Sequence, residues 1–448
     1  MDAFIPCEER DEEGNGSDEM NKLSMVDLFA GAGGTSTGLV AAARSITTKV
    51  SLTAINHNRK ALETHQANFP WAKHILTELQ FVDPSEVVPE GRLDGMVASP
   101  ECTFFSRARG GKPIRPQDRA SPWYLGRWIH KLDIPWLLIE NVPEIIRWGP
   151  LNPQGRPITA GKGRYFKLWV HMFEKAGYSF DYRILNAADY GDATSRRRFF
   201  AVARNDGKPI TWPAPTHSRK PMGKQEKWRG ARDIIDFSMH GESIFSRKRP
   251  LSSNTMKRII AGLRKFSSPE MKPFIVLLEH SLLKPETRIR DIDLPLPAIT
   301  GARGGAFAIA EPFLMPVDGI FRGNTAKPLS EPLSTLDTSN RIALAEPYLI
   351  EYYGNGSAKS IEDPLPTVTS RDRFAFIEPR VAVEGVEYRF DIFYRMLKPR
   401  ELAASMGFPK QYKFLGSQQD QVKQIGNAVA VNMATSLISS ILGSQGRP

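Results

Sequence analysis

The stretch that most constrains this chain is Ser24-Met25-Val26-Asp27-Leu28-Phe29, an apolar run that breaks into Ala30-Gly31-Ala32-Gly33-Gly34. An Ala-rich segment, 39–44, continues it as a helix. A buried strand, a glycine turn and a helix opening resemble the nucleotide-binding start of a doubly wound sheet. The glycines let a ligand approach the backbone, and the helix N-terminus offers free N–H groups. The spacing is not the dinucleotide fingerprint, and no Gly-Lys-Ser/Thr follows. A ligand here is therefore not expected to be gripped by its phosphates.

The same alternation continues. Residues 50–56 read as a second strand, 61–68 as a helix, and 73–76 as a short third strand near Glu78. The apolar run 93–98 is a fourth strand, ended by the turn Ser99-Pro100 and delivering Glu101-Cys102 at its carboxyl end. A fifth, 136–139, ends in Glu140-Asn141-Val142, and a helix around 165–176 precedes strands at 182–185 and 199–203. Alternating strands and helices imply a parallel α/β sheet.

With 448 residues, the chain exceeds one ordinary core, so two domains are expected. Its 41% hydrophobic and 24% charged residues describe a soluble globular protein, and no apolar run approaches a membrane span. The N-terminus is not a signal peptide, and two distant cysteines, Cys7 and Cys102, do not make a disulfide framework. A reducing cytoplasmic setting fits this pattern. The net charge is +11 although 8–19 is acidic, so the folded part favours a polyanionic partner, most simply nucleic acid. Residues 1–23 read as a disordered acidic tail.

The texture changes near Lys208, where Pro209, Pro213, Pro215 and Pro221 interrupt the alternation. Beyond it, Pro295-Leu296-Pro297-Ala298-Ile299-Thr300 recurs as Pro332-Leu333-Ser334-Thr335-Leu336 and as Pro364-Leu365-Pro366-Thr367-Val368-Thr369. Each copy runs on to a Glu-Pro pair (Glu311-Pro312, Glu346-Pro347, Glu378-Pro379). These read as strand-and-turn units with Pro as strand terminator. They serve mostly as scaffold, with Arg303, Arg341, Arg371 and Arg373 between the copies available to phosphates or guanine edges. Regular structure returns at Arg395, with Pro399 suited to a first helical turn, and a last helix is expected over 428–442.

Cys102 is either a buried structural cysteine or a nucleophile at the crevice where open α/β sheets bind ligands. The basic, glycine-rich loop 107–119 behind it is either a solvated loop or a lid on a phosphate backbone. Its companions decide between the two readings. Cys102, Glu140-Asn141-Val142, the Arg196/Arg198 pair and Gly426-Asn427-Ala428-Val429, in that order behind the glycine turn, resemble the C5-cytosine-specific DNA methyltransferases. The resemblance covers most of 24–205 and 393–442. It implies a Rossmann-like S-adenosylmethionine-dependent methyltransferase domain (24–207 plus 391–448) and a smaller, mostly β/irregular target-recognition domain (208–390).

The resemblance also implies roles. Cys102 would attack C6 of a flipped-out cytosine, Glu140 would hold N3 and the exocyclic amine, and Arg196 and Arg198 would steady the base and nearby backbone. Cytosine C5 is a poor nucleophile until addition at C6 makes it enamine-like, so the chemistry needs both thiolate and acid. Flipping is required because C5 and C6 are inaccessible within the stack. Ser106, Asn141 and Thr194 would meet the substrate. S-adenosyl-L-methionine would lie against Phe29, Ala32, Gly33, Gly34, Asn56, His57, Glu78, Leu79, Asn427 and Val429. No metal site is implied. The expected partner is double-stranded DNA, met by a monomer without a membrane; a cognate restriction endonuclease is left open.

Several positions depart from the family pattern. Asn56 followed by His57 stands where an acidic residue normally binds the ribose, and an amide loses the charge-assisted part of that bond. Thr194 replaces the usual Gln, and Glu101 replaces the usual Pro before the nucleophile. A carboxylate beside a thiol opposes thiolate formation, so Arg107, Arg109 or the Arg196/Arg198 pair is expected to neutralise it, and Glu101→Pro to leave activity intact or raise it. The alternatives are an RNA (tRNA) cytosine-5 methyltransferase, disfavoured by the long insert, a catalytically silent DNA-binding relative, and an enzyme that transfers a group other than methyl.

Overall fold

The structure is a computed structural model that describes residues 22–101, 120–153, 156–245 and 386–443, with shorter stretches between 247 and 383. The acidic tail, Cys102, Ser106, the loop 107–119 and the second and third Pro-Leu copies lie outside the described residues. So do Arg303, Arg341, Arg371 and Arg373.

The chain divides into two units. The first takes in residues up to 235, 293–306 and 398 onward, and is built on one sheet. Its elements are β1 (Lys22–Leu28), α1 (Gly34–Ser45), β2 (Lys49–Asn56), α2 (Arg59–Asn68), β3 (Lys73–Leu76), α3 (Pro84–Val87) and β4 (Gly95–Ala98). There follow α4 (Leu125–Lys131), β5 (Trp136–Asn141), α5 (Arg164–Lys175), β6 (Ser179–Asn186) and β7 (Arg197–Arg204). The strand order is β3-β2-β1-β4-β5-β7-β6. The order reverses between β1 and β4, which opens a crevice at their carboxyl ends.

Strands β1 to β5 pair in parallel, as expected, but β7 runs antiparallel to both β5 and β6. The wholly parallel sheet read from the sequence is thus corrected at one edge. The connection from Asn186 to Arg197 is too short for a helical crossover, so β6 and β7 form a hairpin-like pair.

One face of the sheet packs Val26, Leu28, Met96, Leu137 and Ile139 against Trp128, Trp169 and Phe173. Burying side chains of this size contributes about 1.5–3 kcal/mol each. The C-terminal helices α6 (Pro399–Ser405), α7 (Gln418–Asn427) and α8 (Val431–Gly443) return to this unit. The sequence reading missed α7, which Ser417 caps by accepting the Asp420 N–H. A Cβ on Gly38 of α1 would collide with Ala434 of α8, so this glycine permits close helix–helix contact. The span Gln418–Gly443 is long and apolar enough to cross a membrane, yet it is largely buried and holds two helices. Its apolar face is accounted for by packing.

The second unit, 236–292 with 307–397, is centred on an antiparallel sheet. Strand Phe307–Pro316 pairs with Phe274–Leu277 on one side and Val386–Met396 on the other. Phe274, Val276, Ile289, Ala308, Ala310, Ile392 and Tyr394 form its core. A separate three-stranded sheet joins Tyr348–Glu351 to Ala358–Ser360 and Phe374–Phe376. Pro312 does not terminate its strand, which corrects the sequence reading. It stands opposite Ile392, beyond Ala310 where pairing with Phe274–Leu277 has ended. The first Pro-Leu copy departs from the strand-and-turn pattern too. Leu296 bridges to Thr194, and its carbonyl accepts the Ser195 N–H at 2.7 Å, within the first unit.

Candidate active site

The turn after β1 is strained. Phe29 holds φ of 61°, a left-handed backbone unusual for an aromatic residue, and Gly31 and Gly33 follow at 56° and 92°. The glycines divide the work. A Cβ on Gly31 would meet nothing nearer than 3.8 Å, which leaves room for a ligand. One on Gly33 would strike the Tyr412 hydroxyl, and one on Gly34 the Val429 backbone. Gly33 and Gly34 are thus small because protein packs on them. Tyr412, which the sequence reading missed, donates its hydroxyl to the buried Ala32 carbonyl at 2.5 Å and fixes the turn from behind. Val429 is buried there, while Asn427 is exposed on the last turn of α7.

A chain of buried polar groups runs beneath this turn. Ser36 donates to Asp27 Oδ2 at 2.6 Å, so its oxygen must accept from His65 Nε2 at 2.9 Å. The remaining ring nitrogen of His65 then accepts from His74 Nε2 at 2.8 Å. Burial pushes Asp27 up to about 7, against the Ser36 bond, and pushes His65 down to about 3, aided by His74. Asp27 Oδ1 is buried without a hydrogen-bond partner among the described residues, as suits a carboxyl that is readily neutral.

On the β2 side, Asn56 is buried and its amide oxygen accepts the Asn58 N–H at 2.8 Å. Asn58 in turn caps α2. Glu78 begins a short 3-10 turn after β3 and accepts from Gln80, with Leu79 buried behind it. His57 is exposed and directs Nδ1 to Glu101 Oε1 at 3.3 Å.

On the β5 side, Glu140 is almost enclosed, with its Oε1 3.3 Å from Arg198 Nε. Burial raises its pKa, while Arg198 and then Arg196 oppose that rise. Arg196 is buried, and Arg197 between them is exposed, as strand alternation from β7 requires. Asn141 is fully buried. It donates Nδ2 to the Pro100 carbonyl at 3.0 Å and accepts the Val142 N–H, while Ser99 N–H bonds the Leu28 carbonyl. These bonds set the turn that leads into Cys102. Thr194 is also fully buried, with its hydroxyl donating to the Pro297 carbonyl at 3.3 Å.

Asp192 is a second residue the sequence reading missed. Its enclosed carboxylate accepts the Asn432 and Met433 N–H groups at 3.3 and 3.1 Å, capping α8. It thereby ties the turn before Arg196 to the C-terminal helix. Burial raises its pKa well above the usual value against these bonds. The signal was faint, because an Asp after Gly191 reads as an ordinary turn residue.

The fold and this crevice define a Rossmann-like domain of the methyltransferase type. The sequence model of the family described as C-5 cytosine-specific DNA methylase matches residues 23–271 and 344–443, and the chain belongs to that family. It is 26% identical over 267 residues to the type II methyltransferase M.SacI of Streptomyces achromogenes, covering 54% of this chain and 58% of that protein. It is 30% identical over 200 residues to M.AgeI of Thalassovita gelatinovora, covering 44% and 42%. The matches therefore span about half the length of these curated relatives. Among solved structures, the Entamoeba histolytica methyltransferase EhMeth shares the fold at a TM-score of 0.51 and 14% identity, over 95% of this chain and 99% of that one.

Proposed function

We propose that the protein is a DNA (cytosine-5-)-methyltransferase acting on a flipped cytosine in double-stranded DNA. The observation that carries this reading is Glu140: a carboxyl enclosed at a strand end, its pKa raised by burial, with Arg198 on its flank. A carboxyl that retains its proton more readily can give it to N3 of cytosine, and the arginines then stabilise the carboxylate left behind. Asn141 holds Pro100, two residues before Cys102, so acid and nucleophile are delivered from neighbouring strands.

In this mechanism the Cys102 thiolate adds to C6 while Glu140 protonates N3, and negative charge does not accumulate on the ring. C5 becomes nucleophilic. S-adenosyl-L-methionine, when bound, supplies the methyl group that C5 takes up. A base then removes the C5 proton, Cys102 leaves as the thiolate, and N3 returns its proton to the Glu140 carboxylate. The residues present fit such a cofactor. Gly31 leaves open space at the turn beside the strained Phe29, and the Asn56 amide and the Glu78 carboxylate stand at the ends of β2 and β3. Asn56 must serve the ribose as a neutral donor. The second unit would read the target sequence, and the net charge of +11 would favour the phosphate backbone.

The test is transfer of label from S-adenosylmethionine to unmethylated duplex DNA, with tRNA as competitor. Label on DNA that disappears in Cys102→Ala supports the reading. Label on tRNA alone, or activity that survives Cys102→Ala, rejects it.

A further inference from the structure

Two of the positions that depart from the family pattern meet in space. His57 follows β2 and Glu101 follows β4, strands that lie on either side of β1. Their side chains approach to 3.3 Å, Nδ1 to Oε1, across the carboxyl end of β1. For that contact to be attractive, Nδ1 must carry a proton and donate it to the carboxylate. The neighbours of both residues are fastened. Asn56 is locked by its bond to the Asn58 N–H, Ser99 by its bond to the Leu28 carbonyl, and Pro100 by Asn141. The turn entering Cys102 is thus held from the β5 side through Asn141 and from the β2 side through His57.

We infer that His57 is a positioning residue for the nucleophile: it engages Glu101, fastens the residue bonded to Cys102, and offsets a carboxylate that would otherwise disfavour the thiolate. This rests on the reading of Cys102 as nucleophile. It gives His57 a role beyond the cofactor contact expected of it, and it adds a partner for Glu101 to those expected among the arginines. Without His57, Glu101 stands next to a thiol with less of its charge offset. Without both, neither the penalty nor the remedy remains. The two residues should therefore suppress each other rather than add.

The experiment uses the full chain in a Cys7→Ala background, so that Cys102 is the one thiol. Its alkylation rate is measured near pH 8 without cofactor, and kcat and KM for S-adenosylmethionine are measured on duplex DNA. His57→Ala should slow alkylation and lower kcat by about two- to fivefold, the range an exposed polar pair supports, with little change in KM. Glu101→Gln should not slow alkylation, and His57→Ala/Glu101→Gln should return to the rate of Glu101→Gln alone. His57→Lys, which keeps a donor for the carboxylate, should recover part or all of the loss. A double variant as slow as His57→Ala overturns the inference, as does a rise in KM with alkylation unchanged, which would return His57 to the cofactor. The reading of Cys102 itself is checked separately by trapping on a duplex carrying 5-fluorocytosine. Failure there rejects the nucleophile, whatever the alkylation rates show.

Discussion

Two buried carboxyls flank the crevice, and they are held in opposite ways. Asp27 lies under the glycine turn, bonded to a serine hydroxyl that leads through His65 to His74, with no ion pair to it among the described residues. Glu140 lies at the end of β5 with Arg198 at 3.3 Å and Arg196 nearby. Burial raises the pKa of both. On the Asp27 side burial is opposed only by a serine hydroxyl, so the carboxyl keeps its proton up to about pH 7. The Glu140 side relieves it with guanidinium charge, which leaves the carboxyl able to give up a proton and stay stable afterwards. The same residue chemistry is structural in one place and, in the function proposed, reactive in the other.

The contrast breaks most sharply at Glu140. Glu140→Gln keeps the shape and removes the transferable proton, so kcat should fall by about 10²–10⁴ while the fold persists. A loss below tenfold in single-turnover transfer would remove Glu140 as the acid. Asp27→Asn probes the other side through stability. A carboxyl whose folded pKa is raised to about 7 contributes stability at low pH that is lost as pH rises from the unfolded value of 3.8 through 7. The wild type should lose up to roughly 4 kcal/mol by this route between pH 4 and 8, and Asp27→Asn should lack that share of the loss. Urea unfolding at both pH values decides it; parallel curves would mean that Asp27 is ionised in the fold.

Gly33→Ala tests the packing behind the turn. The added methyl meets the Tyr412 hydroxyl on a backbone at φ 92°, so a loss of about 1–3 kcal/mol is expected. Tyr412→Phe in the same chain should recover part of it, which differential scanning would show. Ser36→Ala should have the smallest effect, about 1–2 kcal/mol, because it leaves His65 Nε2 buried without its partner. If cofactor affinity falls more than stability does, the chain beneath the turn acts on the ligand as well as on the fold.

The sequence by itself determined the sheet and the order of the motifs. Alternating apolar runs and helix signals have periods that can be read locally, and Gly31, Pro100 and Pro399 mark turns through backbone sterics alone. The role expected of Glu140 came from the family resemblance, since an acid at the end of an apolar strand is not distinctive by itself. Tertiary structure alone decided the rest. The antiparallel β7, the strand running through Pro312, and the helix Gln418–Asn427 depend on neighbouring strands and caps. Tyr412 behind Ala32, Asp192 at the start of α8, and His57 beside Glu101 join residues far apart in the chain. Contacts of that kind are set by how the chain closes on itself, and residue spacing carries no trace of them.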